Sequence, residues 1–274
     1  MSQQTKPESC RKTSLRAGSG PAEFNIFEAM GAVRQELRHS DFLAFLLNPR
    51  ANHRLGDAFL KRLLRHVLAP IPELGMSAVE VDTADLTDAK VRREWQRIDI
   101  LVHAPDNRFV CVIENKIDSG EDSDQLRRYR GIVQRHFTNH RAIFIYLTPE
   151  GDEPFDDAYL ALSYREVADV MDAVRRSRES TLSGDLCILM EHYTTMLRRH
   201  ILTGALRPLE SALILHLERE KQMAVTIEDT MDILDCSYNY ARQTLHRLKE
   251  RRWLAPITPG TYELIPAERG EHAF

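Results

Sequence analysis

The sequence predicts an α/β domain followed by a small helical domain that closes on a β-hairpin. Three observations predict it. Apolar residues recur at three- and four-residue spacing from Asn25 to Asn48 and again from Asp57 to Pro70. A block rich in β-branched residues with alternating polarity runs from Val91 to Ile117. A helical stretch and a short apolar run, AIFIYLT from Ala142, then follow one another.

The first helical pattern carries Ile26, Phe27, Met30, Val33 and Leu37, then Phe42, Phe45 and Leu46, and Pro49 ends it. The second carries Phe59, Leu60, Leu63, Leu64 and Val67 and stops before Pro70. In the β-rich block, VRREWQ from Val91, RIDILVHA from Arg97 and RFVCVIENKI from Arg108 read as strands, the last two joined by a turn at Pro105-Asp106-Asn107. A helix is expected from Asp122-Ser123 through Leu126, Tyr129 and Val133 to Phe137, AIFIYLT as a buried strand, and helices over Tyr164–Val174 and Leu186–Ile201. Residues 1–22 hold four basic residues against Glu8 and almost nothing apolar, which predicts a disordered basic tail. The domain boundaries read as 23–204 and 205–274.

Composition narrows the classes. In 274 residues, 37 Lys and Arg face 41 Asp and Glu, 43% are hydrophobic, and the formal net charge is −4. That excludes fibrous and wholly disordered proteins and any protein held to nucleic acid by bulk charge, but not a local basic site. The four cysteines, Cys10, Cys111, Cys187 and Cys236, are far apart with no paired spacing, which argues against a structural zinc or disulfide framework. No apolar run reaches the ~20 residues of a membrane span, and the polar start lacks the apolar segment of a signal peptide. The expectation is a cytoplasmic protein with no membrane partner. The sequence runs out at Glu271–Phe274 without an evident closing element, so a longer natural chain stays open.

Chemistry concentrates in Asp99 and in Glu114-Asn115-Lys116. Asp99 points away from the face shared by Ile98, Ile100 and Val102, whereas Glu114 and Lys116 share a face with each other. A two- or four-residue loop at Pro105-Asp106 would put Asp99 and Glu114 on one side of the sheet, and a three-residue loop would not. Two carboxylates on one side can share a hard divalent cation such as Mg²⁺, and an ammonium beside them can stabilise developing negative charge. A surface ion pair is the plainer reading of Glu114 and Lys116, but both motifs sit in apolar strands where an unpaired charge is costly. Gln125 and Tyr129 lie one helical turn apart on the next helix and could present an amide and a phenol to the site. Glu36, His39 and Ser40 sit on the first long helix; by themselves Glu36 reads as solvent-facing and His39 as structural.

Asp99, then Glu114-Asn115-Lys116, then Gln125-x-x-x-Tyr129, in the order strand, strand, helix, resembles the PD-(D/E)xK nuclease superfamily, in the branch that carries a QxxxY element. NIFEAMGAVRQELRHSDFLAFLLNP, HRLGDAFLKRLL and LSYREVADVM resemble a prokaryotic subfamily in which a Glu-x-x-His-Ser helix precedes the nuclease sheet, so the likeness spans about residues 24–204. Ile98 stands where the motif has proline. The resemblance implies a central mixed sheet flanked by helices, as in restriction endonucleases, and Mg²⁺- or Mn²⁺-dependent phosphodiester hydrolysis. It implies a metal bound by Asp99 and Glu114 with Glu36 as an accessory acid, Lys116 as the charge-stabilising cation, Gln125 and Tyr129 in support, and a role in defence against foreign DNA. Membership of a fold does not ensure activity. The alternative is a non-catalytic DNA-binding regulator that uses the nuclease fold as a scaffold.

Beyond residue 205, helices over Leu209–Gln222, Ile227–Leu234 and Tyr238–Trp253 and two short strands around Pro259-Gly260 suggest a winged helix-turn-helix. In Tyr238–Trp253, Ala241, Leu245, Leu248 and Trp253 face a core, and Arg242, Arg247, Lys249, Arg251 and Arg252 remain for solvent or phosphate. Ser237 is the expected N-cap. Tyr238, Asn239, Arg242 and Gln243 stand where a recognition helix reads bases, with Arg247 and Lys249 behind them. This stretch resembles the winged helix of abortive-infection antitoxin regulators. The expected partner is nucleic acid, DNA first; a homodimer, and a protein partner for the C-terminal domain, stay open.

Overall fold

A computed structural model describes residues 23–70, 77–118, 123–204 and 206–265. The expected tail at residues 1–22 lies outside them. The described residues group into two units, one up to Ile117 together with Arg128–Leu202, the other Asp118–Arg127 with the residues from Thr203 on.

In the first unit the helices are α1 (Ile26–Ala29), α2 (Glu36–Leu47), α3 (Ala58–Leu68), α4 (Ala78–Thr83), the part of α5 (Ser123–His136) from Arg128 on, α6 (Tyr164–Ser177) and α7 (Gly184–Met196), which passes into a π-helical turn at Leu197–Ile201. The strands are β1 (Lys90–Trp95), β2 (Ile98–Ala104), β3 (Phe109–Asn115), β4 (Arg141–Thr148) and β5 (Tyr159–Ser163). They form one sheet in the order 1-2-3-4-5. β1, β2 and β3 run antiparallel, whereas β3, β4 and β5 are parallel, so the sheet is mixed.

Strand parity divides the core in two. Ile100, Val102, Cys111, Ile113, Ile143 and Ile145 are buried in one cluster with Leu46, Leu47, Phe59 and Leu64 of α2 and α3 and Val167 and Met171 of α6. The alternate residues Leu101, Val110, Val112, Phe144 and Tyr146 are also buried. On their side the end of α5 meets the sheet, with Trp95 against His136 and Phe137, and His103 against Phe137. Leu126, Tyr129 and Val133 form the buried stripe of α5. β3, with a neighbour on either side, is buried at every position.

The loop between β2 and β3 has four residues, Pro105 to Arg108, because Ala104 pairs with Phe109. The Arg108 amide donates to the Pro105 carbonyl at 3.0 Å, and Arg108 closes the turn at φ 47°. Ile100 therefore stands opposite Ile113, and Asp99 and Glu114, one residue beyond that pair on each strand, fall on the same face. The loop-length condition set by the sequence is met.

The single helix expected from Asn25 to Asn48 is two helices. The Asn25 side chain caps α1, and Gly31 at φ 65° turns the chain before α2 begins at Glu36. The spacing of Met30, Val33 and Leu37 runs on across the break, and Met30 and Leu37 are in fact exposed. α4 and β5 were not foreseen; each is six residues or fewer, too short for a period to register.

The second unit holds α8 (Pro208–Glu220), β6 (Ala224–Thr226), α9 (Ile227–Leu234), α10 (Tyr238–Glu250), β7 (Leu254–Thr258) and β8 (Thr261–Leu264). Its three strands form an antiparallel sheet in the order β6-β8-β7. Leu213, Leu217, Val225, Ala241, Leu245, Leu248 and Leu254 make its core. The Ser237 side chain caps α10 by accepting from the Tyr240 amide. No helix among the described residues is long and apolar enough to cross a membrane.

Two expectations for α10 are corrected here. Arg247 does not face solvent: it is 4% exposed, and its Nε donates to Glu210 Oε1 on α8 at 2.6 Å. Gln243, one turn before it, is buried as well. A second inward sector of α10, Tyr240, Gln243, Thr244 and Arg247, packs beside the apolar one, and the buried acid on α8 draws the guanidinium in. Arg251 joins it, with Nη1 at 3.1 Å from Glu210 Oε2.

Candidate active site

At the C-terminal end of β3 the chain carries three polar residues in a row. Glu114 and Asn115 are the last of the strand and Lys116 follows, its amide donating to the Leu147 carbonyl of β4 at 2.9 Å. Parity sends Glu114 and Asn115 to opposite faces, and the two have opposite fates.

Asn115 is fully satisfied. Its Nδ2 donates to Ser40 Oγ at 2.9 Å and to the Glu36 carbonyl at 3.1 Å, and its Oδ1 accepts from the Tyr164 hydroxyl at 2.7 Å. Its backbone amide donates to Asp99 Oδ2 at 2.8 Å. One residue thus ties α2, α6 and β2 to the end of β3. His39 supports the same junction, with Nδ1 at 2.9 Å from the Tyr193 hydroxyl and Nε2 at 3.0 Å from the Val33 carbonyl; it is structural, as read from the sequence. The sequence singled out Ser40 only as a neighbour of Glu36 and passed over Asn115 and Tyr164. The signal for Asn115 was there: an amide in an apolar strand needs buried partners.

Glu114 is the opposite case. It is 0% exposed, and among the described residues neither carboxylate oxygen has a hydrogen bond in good geometry. Lys116 Nζ stands 2.7 Å from Oε1 as an ion pair. Burial, and after it the Asp99 carboxylate, push Glu114 up to about 8, against the pull of Lys116. Burial also raises Asp99, outweighing the Asn115 amide and the Lys116 charge. Lys116 is held above its ordinary value because Glu114, Asp99 and Glu36 together outweigh its own burial. The three groups are electrostatically one unit.

Glu36 opens α2, and its Oε1 accepts from the Ile117 amide at 2.8 Å, so the helix start is fastened to the chain just past Lys116. Arg93 of β1 fastens the other side. It binds Asp41 at 3.1 Å and Glu94 at 3.0 Å and donates to the carbonyls of Leu37 and Asp99. Tyr129 is buried, and its hydroxyl donates to the Arg97 carbonyl at the entry to β2. Of the residues singled out from sequence, Glu36, Asp99, Glu114 and Lys116 are brought together, and Tyr129 braces the strand that carries Asp99. Gln125 is half-buried one turn before Tyr129, in the segment that groups with the second unit. In that unit Tyr238 and Arg242 are exposed, and Lys249 is half-exposed with its ammonium 3.1 Å from Glu250. Asn239's side chain lies outside the described residues.

The donor set suits a hard cation. Two carboxylates on one face, both reluctant to ionise because of burial, gain from a positive charge between them. Among the described residues no three His, Cys, Asp or Glu side chains form a metal cage. Mg²⁺ binds through as few as one or two carboxylates and keeps water or substrate oxygens in its remaining positions.

A family model described as the PD-(D/E)XK nuclease superfamily matches residues 24–195, more than half of the chain and a span that contains every residue of this site. No curated protein and no solved structure matches the chain.

Proposed function

The chain belongs to the PD-(D/E)XK nuclease superfamily, and from that premise we propose a divalent-metal-dependent nuclease that hydrolyses phosphodiester bonds, with DNA as its substrate. The observation that carries this reading is Glu114: a fully buried carboxylate on the same face of the sheet as Asp99, whose one partner among the described residues is the Lys116 ammonium at 2.7 Å. A structural acid at that depth would be satisfied. Mg²⁺ or Mn²⁺ bound there would polarise a phosphoryl oxygen and lower the pKa of water.

The chain's own residues have separate tasks. Asp99 and Glu114 hold the metal, and Glu36 adds an acid on the same side. Lys116, kept protonated by its three acidic neighbours, neutralises charge that builds on the phosphate and orients the attacking water. Asn115 locks Asp99 through its amide. Tyr129 supports the site from α5. The second unit serves as a DNA-binding winged helix, with α10 as the recognition helix, Tyr238 and Arg242 toward the bases and Lys249 toward the backbone. Arg247 and Gln243 stay inside and contact no DNA.

The test is cleavage of plasmid, linear and single-stranded DNA, and of RNA, with Mg²⁺ or Mn²⁺, comparing the parent with Asp99→Ala and Lys116→Ala. Metal-dependent cleavage of DNA that both variants lose is the expected result. Cleavage that both retain, or that needs no metal, overturns the assignment.

A further inference from the structure

Most cations around the acidic site already have partners. Lys116 is held by Glu114 at 2.7 Å, Arg93 by Asp41 and Glu94, and Arg130 by Asp156 at 2.8 Å. Arg97 and Arg128 differ. Both are exposed, and neither has an acidic partner among the described residues. Arg97 lies two residues before Asp99, and both arginines meet the same buried tyrosine, Arg97 through its backbone carbonyl and Arg128 through its guanidinium. The Tyr129 hydroxyl donates to the Arg97 carbonyl, and the Arg128 guanidinium carbon lies 5.3 Å from the Tyr129 ring centroid.

The backbone at Arg97 is strained. Trp95 pairs with Ile98, so Gln96 and Arg97 alone make the turn between β1 and β2. Their φ values are 55° and 68°, both left-handed, and Glu94 just before them is at 53°. A two-residue hairpin turn of this kind favours Asn-Gly, because any residue with a bulky side chain is strained there. A large cation kept in such a turn, with its carbonyl clamped by a buried tyrosine, points to a use for the side chain itself.

We propose that Arg97 and Arg128 form a phosphate clamp that holds the nucleic-acid backbone against the Asp99–Glu114 centre, with Tyr129 as the positioning residue. This rests on the nuclease reading above. A polyanion approaching Glu36, Asp99 and Glu114 meets repulsion, and guanidinium groups that carry no internal ion pair are the ones able to offset it. Arg92, which is also exposed, lies over the Trp95 ring at 6.0 Å, further along β1 from Asp99.

The experiment uses the full chain in an R242A/K249A background, so that affinity of the second unit does not mask the effect. Binding of a short fluorescein-labelled DNA duplex is followed by anisotropy in EDTA over a salt series, and KM and kcat are measured with Mg²⁺. Arg97→Ala and Arg128→Ala should each weaken binding and raise KM about tenfold. Each should also flatten the dependence of log affinity on log salt by about one unit. Arg97→Lys should restore the salt slope but only part of the affinity. Arg97→Gly separates clamp from scaffold: it relieves the left-handed strain, so the melting temperature should hold or rise while affinity falls. Salt slopes and KM unchanged in Arg97→Gly and Arg128→Ala overturn the clamp. Should the parent cleave no DNA with either metal, the nuclease reading fails, and the anisotropy slopes still decide the clamp separately.

Discussion

Two fully buried glutamates, one in each unit, sit in opposite surroundings. Glu210 on α8 is 0% exposed, and both of its oxygens are engaged: Arg247 at 2.6 Å, Arg251 at 3.1 Å and the Arg207 backbone amide at 2.8 Å. Glu114 is buried to the same depth, and among the described residues its one partner is the Lys116 ammonium at 2.7 Å from Oε1. Desolvating a carboxylate is costly in both places. Around Glu210 the protein itself meets that cost, and the result is a structural anchor. Around Glu114 only Lys116 offsets that cost, which leaves room for the cation proposed above.

The contrast predicts that the two acids fail in different assays, and the largest effect is on catalysis. Asp99→Ala and Glu114→Gln should each lower the cleavage rate about 10³-fold, about 4 kcal/mol of barrier. Glu114→Gln should leave the urea midpoint at neutral pH little changed, since burial already holds the Glu114 carboxyl in its neutral form there. Retained activity in both variants would remove the distinction between the two glutamates. Next in size, Glu210→Ala should destabilise the second unit by about 3 kcal/mol, because it strands two guanidinium groups. The two tryptophans, Trp95 and Trp253, fall one in each unit. Urea unfolding followed by Trp253 fluorescence in a Trp95→Phe background therefore reads the loss locally, and an unchanged midpoint would break the comparison from the other side.

A third prediction concerns pH. The folded chain holds a proton on Glu114 up to about 8, whereas the unfolded chain releases it near the ordinary 4.5. Stability from this group is fully present below pH 4.5 and is lost as pH rises toward 8. Asp99, also raised, acts in the same direction. Thermal melts without metal should therefore decline across that window, Glu114→Gln should flatten the decline, and Mg²⁺ should raise the melting temperature more at pH 8 than at pH 5. The smallest effect is at the α10 cap: Ser237→Ala should cost about 1 kcal/mol of stability and leave the chemical step of cleavage unaffected.

The same contrast explains what was readable in the sequence. Asp99, Glu114 and Lys116 were legible because their charges interrupt apolar strands and because one short loop fixes their parity. Period-based reasoning found α3, α9 and β4 for the same reason: each buries one regular stripe or run. Arg247 was misplaced because its partner Glu210 lies 37 positions earlier on another helix, and a helix read alone shows only a row of basic residues. Asn115, Ser40 and Tyr164 escaped in the same way, since a polar network across three elements has no periodicity. The break between α1 and α2 was hidden because its apolar residues keep helical spacing although two of them face water. Tertiary pairing of polar groups was the illegible part, and the pattern of apolar burial was the legible one.

The four-residue connection from Pro105 to Arg108 has a consequence for how this chain can diverge. Every side chain of β2 and β3 keeps its face only while the count of residues between the strands stays even. Loss or gain of one residue there would set Asp99 and Glu114 back to back or force a bulge beside them. Insertions and deletions at this turn should therefore survive in twos, and a lineage that changed it by one would keep its sheet and lose its chemistry.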